Sequence, residues 1–153
     1  MKLTDVLKKE SIIPNLTSRN KAELLRELSE HLTSVYTNIN TERVFNVLLE
    51  REKLCSTAVD EGVAIPHGKL SGISSIIAAF GRSKEGIDFD SLDGNPTHLF
   101  ILLLAPENSA GMHIKLLAKI SRIFKIRSVR SQLMDAKSRD EIYEIITEED
   151  DKH

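Results

Sequence analysis

Leu99-Phe100-Ile101-Leu102-Leu103-Leu104-Ala105 is the longest unbroken apolar run in the chain, seven residues. A membrane-spanning helix needs about 20, so no membrane insertion is expected. The run does not alternate, so both of its faces must be covered. That is the mark of a central strand in a sheet with helices on each side. Upstream, Val63-Ala64-Ile65-Pro66 is too short for a helix and ends at proline, so it reads as extended. Ile73 to Phe80, rich in Ile and Ala, is a second strand candidate. Gly81 to Pro96 reads as a loop, with Gly86, Asp93-Gly94 and Asn95-Pro96 as breakers.

Helical patterns flank these strands. Leu24, Leu25, Leu28, Leu32 and Val35 recur at helical spacing within Asn20 to Tyr36, and Asn20 with Glu23 forms a capping-box pattern. Thr41 to Lys53 is a second helix, with Val44, Val47 and Leu48 on one face. Downstream, Met112 to Lys125, Val129 to Ala136 and Arg139 to Thr147 are predicted helices, the last opened by Ser138 with Glu141. Residues 2–9 are predicted to form a short opening helix, and Ser11 to Leu16 a short apolar piece broken by Pro14. Leu54 to Gly62 reads as a polar loop. Helices, then strands, then helices give an α/β fold in one domain spanning residues 1–153: a small mixed β-sheet covered by helices on both faces. The acidic end, about 148–153, is expected to be frayed.

The 153 residues correspond to one domain at about 150 residues each. A hydrophobic share of 41% beside 29% charged residues describes an ordinary globule and excludes disorder. Asp5 and Glu10 interrupt any secretory apolar segment. The single cysteine, Cys55, allows no intramolecular disulfide and fits a reducing cytoplasm. A net charge of −2 gives no overall drive onto nucleic acid or an acidic membrane. Glycine-rich nucleotide loops, a GxSxG elbow and close His pairs are all missing, so no cofactor and no metal site are expected.

The unusual segment is Gly62-Val63-Ala64-Ile65-Pro66-His67-Gly68-Lys69. Pro66 stiffens the approach, and Gly68 removes a side chain beside the imidazole. Either His67 is displayed at a strand end, where α/β proteins place ligands, or the turn carries a histidine without a role. His113 shares a helix face with Leu116, Leu117, Ile120 and Phe124, at its N-terminal end, where Asn108 and Ser109 can cap. A helix start suits an anion and lowers a nearby histidine pKa, but for His113 alone a core histidine bonded to backbone is the commoner reading. Arg51 and Lys53 complement the C-terminal dipole of the second helix, and Arg51 also has the planar fork that suits phosphate. His31, His98 and Cys55 are weaker candidates. Between Glu107 and Asp135 there is no acid, while Lys115, Lys119, Arg122, Lys125, Arg127 and Arg130 supply six positive charges. A solvated helical face is the commoner reading of such a row. A docking stripe for RNA or an acidic partner is the other.

The stretch Leu49-Glu50-Arg51-Glu52-Lys53-Leu54-Cys55-Ser56-Thr57, followed by Ile65-Pro66-His67-Gly68-Lys69, resembles a known family. This is the enzyme IIA domain of the bacterial phosphoenolpyruvate-dependent sugar phosphotransferase system, of the fructose/mannitol/nitrogen-regulatory type. The resemblance covers nearly the whole chain. It implies that His67 matches the phosphoryl-accepting histidine, and that His113 and Arg51 match the second active-site histidine and the arginine. Where the family often carries Ser-Thr-Gly-Ile-Gly before the final glycine, this chain has Ser56-Thr57-Ala58-Val59-Asp60-Glu61-Gly62. The implied donor is phospho-HPr or a nitrogen-branch HPr paralogue. The implied acceptor is an enzyme IIB domain, or a regulatory target protein bound according to phosphorylation state. Gly68-Lys69-Leu70 and the overall pattern favour the nitrogen type over a sugar-specific subunit. No metal or cofactor is implied.

Overall fold

Every residue of β5 (Thr97–Ala105) is buried except His98, so the apolar run is indeed the centre of the sheet. The structure is a computed structural model and describes residues 1–153, the side chain of residue 110 excepted. Leu99, Ile101 and Leu103 face one layer and Phe100, Leu102 and Leu104 the other, the period-two alternation of a strand serving two cores. β4 (Ile77–Ile87) pairs antiparallel with β5, and β1 (Leu7–Ile13) lies parallel to β4 at one edge. On the far side of β5, β2 (Val63–Ala64) and β3 (His67–Lys69) follow one another along one parallel edge, interrupted at Ile65-Pro66. The sheet is therefore mixed, as expected.

Two helical layers enclose it. α1 (Lys21–Val35) and α2 (Thr41–Leu54) bury Leu24, Leu25, Leu28, Leu32, Val44 and Leu48 on one face. α3 (Ala110–Phe124), α4 (Arg127–Asp135) and α5 (Arg139–Asp150) bury Leu116, Ile120, Phe124, Val129, Leu133, Ile142 and Ile146 on the other. The expected caps form at α1 and α5. The Asn20 side chain accepts from the Glu23 N–H, and the Ser138 hydroxyl accepts from the Glu141 N–H. In both, the glutamate reaches one residue further back than a capping box, taking the N–H of Arg19 or Lys137.

Three expectations are corrected. Residues 2–9 are not a helix: a 3₁₀ turn covers Leu3–Asp5 and β1 begins at Leu7. Its Lys8-Lys9-Glu10 segment is exposed at a sheet edge whose register shifts between Leu7 and Ile12, so no alternation announces it. The second strand starts at Ile77 and runs on to Ile87, through Gly81, where the loop is expected to begin. A Cβ on Gly81 would lie 2.8 Å from Leu16 Cδ1, so this glycine admits a neighbour and does not end the strand. Finally, the acidic end is not frayed. α5 continues to Asp150, which is fully buried and accepts hydrogen bonds from the N–H groups of Leu3 and Thr4. It also pairs with Lys119 at 2.7 Å. Burial works to raise the Asp150 pKa, but these hydrogen bonds outweigh it and hold the carboxyl below its usual range. That pair also interrupts the row of six cations, and Arg130 turns to Glu61. The row is thus not a single free stripe.

Candidate functional site

The break between β2 and β3 sets the site. Pro66 has no N–H to give to a ladder, and the chain resumes pairing at His67, opposite Leu103. His67 therefore opens a strand, one residue past the interruption, where it had been expected to follow a strand end. Gly68 serves a packing need: a Cβ there would fall 2.5 Å from Val47 Cγ1 of α2. Only a glycine lets β3 lie this close to the helix.

The His67 Nδ1 lies 2.8 Å from the Ile65 carbonyl oxygen. A carbonyl only accepts, so Nδ1 carries the proton and Nε2 keeps its lone pair in the neutral ring. Burial, aided by the charge of Arg51, holds the His67 pKa below its ordinary value, while the Ile65 carbonyl and Glu52 pull the other way. The imidazole is accordingly a neutral base near pH 7.

His67, Arg51, Ser56, Thr57, Val59 and Leu117 line a cleft of about 350 Å³. Arg51 stands in the last turn of α2, as expected, and its Nη1 donates to the Cys55 carbonyl at 2.9 Å. It closes its own helix while facing the cleft. Cys55 is exposed beside it. His113 meets His67 edge to face, with ring centroids 5.5 Å apart and planes at 75°. It is 6% exposed, and its Nε2 is buried without a hydrogen-bond partner. Burial, with His67 and Lys69 adding, holds its pKa low. The expected side-chain cap of α3 is absent: the Ser109 hydroxyl donates to the Pro106 carbonyl instead. The structure thus brings His67 and Arg51 to one cleft and sets His113 against the His67 ring. His31 and His98 go elsewhere, to the carbonyls of Glu10 and Ser83. Among the described residues, no group of three or more His, Cys, Asp or Glu side chains could hold a metal ion. No helix among them is long and apolar enough to cross a membrane.

Sequence reasoning missed the support beneath the cleft. Leu54 to Gly62, expected to be a polar loop, buries Thr57 and Ala58. Thr57 is held through its N–H, at 3.0 Å, and its hydroxyl by the buried carboxylate of Glu52. One signal was available: Glu52 is an acid in the last turn of a helix, where the dipole disfavours it. Beyond it, Glu61 and Gly62 both take positive φ, 71° and 76°, to turn the chain into β2.

Fold and site together define a two-core α/β domain with a neutral, tautomer-fixed histidine in a cleft beside an arginine. Residues 5–149 match the model of the family described as "Phosphoenolpyruvate-dependent sugar phosphotransferase system, EIIA 2", and the chain belongs to that family. It is a phosphotransferase component, of a family whose members accept phosphate on a histidine. A "Nitrogen regulatory protein" of Bradyrhizobium diazoefficiens is 41% identical over 146 residues, 95% of each chain. The "PTS system fructose-specific EIIABC component" of Bacillus subtilis is 35% identical over 150 residues, 98% of this chain and 24% of that longer protein. The crystal structure of the nitrogen regulatory protein IIA-Ntr from Neisseria meningitidis superposes with a TM-score of 0.88 at 34% identity. The match covers 94% of this chain and 98% of that one.

Proposed function

We propose that His67 is the phosphoryl acceptor and that the phosphoryl group is carried on Nε2. The observation that supports this is the Nδ1–H donated to the Ile65 carbonyl, which leaves Nε2 as the nucleophile. The Nε2 lone pair attacks the phosphorus of a donor phosphohistidine. The donor N–P bond breaks, and its electron pair returns to the donor imidazole. The positive charge that forms on His67 is delocalised toward Nδ1–H, where the Ile65 carbonyl stabilises it. Arg51 faces the cleft as a cation for the phosphoryl oxygens. An Nε2–H on His113, otherwise unpartnered, would find its acceptor in one of those oxygens. No step needs a metal.

The donor in this reading is phospho-HPr or an HPr paralogue in the cytoplasm. The chain acts as a nitrogen-type regulator that binds target proteins according to the state of His67. The relatives named as nitrogen regulatory proteins match along nearly their whole length, which favours this over a sugar subunit. The fructose-specific relative supports the second reading, in which His67 passes its phosphoryl group to an enzyme IIB. The test is incubation with purified phospho-HPr and chelator, followed by mapping of the labelled peptide. The expected adduct lies on His67, is acid-labile and is absent from His67→Ala. Arg51→Ala is expected to slow transfer by about tenfold or more. Its thermal midpoint should move little, since a helix C-terminal charge contributes about 0.3–1 kcal/mol. Full labelling of His67→Ala would overturn the assignment.

A further inference from the structure

Glu52 is out of place by every local rule. It stands in the last turn of α2, against the helix dipole, and is 6% exposed. Its carboxylate spends both oxygens on one loop residue, taking the N–H and the hydroxyl of Thr57. Lys21, the first residue of α1, pairs with it at 3.0 Å and is itself held over the Phe89 ring at 4.7 Å. A buried ion pair is weak evidence for stability, because apolar residues of like volume often do as well. Its use is more readily found in what it holds. Thr57, fixed at its N–H and side chain, offers its carbonyl to the Ile65 N–H at 3.1 Å. Ile65 in turn offers its carbonyl to His67 Nδ1 at 2.8 Å. The path Glu52, Thr57, Ile65, His67 is continuous in hydrogen bonds.

We propose that Glu52 is a positioning residue for phosphoryl transfer: by clasping Thr57 it fixes the Ile65 carbonyl that sets the tautomer and tilt of His67. This rests on the reading of His67 as the acceptor. If the Ile65 carbonyl drifts, the proton is free to move to Nε2. The lone pair then lies on Nδ1, on the side turned toward the backbone, and the ring cannot attack an incoming phosphorus. Lys21 pairs at 3.0 Å with the carboxylate whose two oxygens hold Thr57, and so helps to fix its place. The arrangement thus ties the start of α1 to the chemistry of a strand it does not pair with.

The test uses Glu52→Gln, Glu52→Asp and Thr57→Val in the full chain, with three readouts. These are the rate of transfer from purified phospho-HPr, the nitrogen chemical shifts of His67, and the ring position of the phosphoryl group. Glu52→Gln is expected to slow transfer by about tenfold to a hundredfold, the scale of a misplaced reacting group. Its His67 shifts should move toward the Nε2–H tautomer, and Glu52→Asp should restore part of both. Thr57→Val keeps the backbone N–H and should fall between wild type and Glu52→Gln. It decides the matter if Glu52→Gln does not fold. Wild-type rates, or slowed transfer with unmoved His67 shifts, overturn the proposal while leaving His67 as acceptor. A wild-type label mapped away from His67 overturns the acceptor reading instead, and this proposal with it.

Discussion

Replacing His113 by leucine should make the protein more stable and less active at once. The His113 Nε2 is buried with no partner, in a side chain that is 6% exposed. An unsatisfied buried polar atom costs about 1–3 kcal/mol, and an apolar replacement removes that cost. Misfit of a branched side chain in a space shaped for a flat ring takes back up to about 1.5 kcal/mol. The net gain is on the order of 1 kcal/mol, which for a chain of this size raises the thermal midpoint by about 2–4 °C. The neighbours Leu116 and Ile120 on the same helix face offer leucine an apolar lining. Transfer from phospho-HPr should fall by about 10²–10³, the usual effect of removing one donor aimed at a developing charge. Calorimetry and a rapid-quench transfer assay on the same preparation read both quantities. A lowered midpoint with an unimpaired rate would refute the reasoning and make His113 an ordinary core residue.

Gly68→Ala should destabilise by about 1–3 kcal/mol, because its Cβ would sit 2.5 Å from the stiff, β-branched Val47. Adding Val47→Ala should recover part of that loss in chemical denaturation, and additive losses would show the clash to be absent. Stability should also fall with acid. His67 and His113 both titrate below 6.5 when folded, so under that pH the unfolded chain takes up protons that the native state refuses. The contribution is complete above pH 6.5 and is lost as pH drops through it toward the folded values, at no more than about 1.4 kcal/mol per pH unit for each ring. Midpoints measured from pH 7.5 to 5 should show this slope, and the double variant His67→Ala, His113→Leu should flatten it.

The central strand and its covering helices were legible because their apolar spacing is strict: Leu99 to Ala105 for the sheet, Leu24 to Leu32 for α1. β1 was not, because Lys8, Lys9 and Glu10 point to water along an unpaired edge and leave no period to read. β4 was cut short because Gly81 and Gly86 are punctuation in a sequence but spacing in a fold. Gly81 makes room for Leu16, and Gly86 takes a φ of 87° beside His98. At the site, Pro66 and Gly68 flagged His67 from either side, and the resemblance paired it with Arg51 and His113. Glu52 and Thr57 escaped notice because burial of an acid is a tertiary fact. Nothing nearby in sequence says that Lys21, at the start of another helix, will arrive to meet it.

The Asp150 clasp has a bearing on how the polypeptide could be rewired. Leu3 and Thr4 donate to Asp150, and Lys2 reaches Asp151 at 2.5 Å. First and last elements therefore meet at one corner. A few Gly/Ser residues would bridge them, and the exposed turn at Asp93-Gly94 offers a place to open new ends. Such a circularly permuted chain should keep both cores, because neither the sheet pairing nor the helical layers depend on which residue is translated first. By the same token, the whole unit can be inserted into a host loop through a single narrow point of attachment.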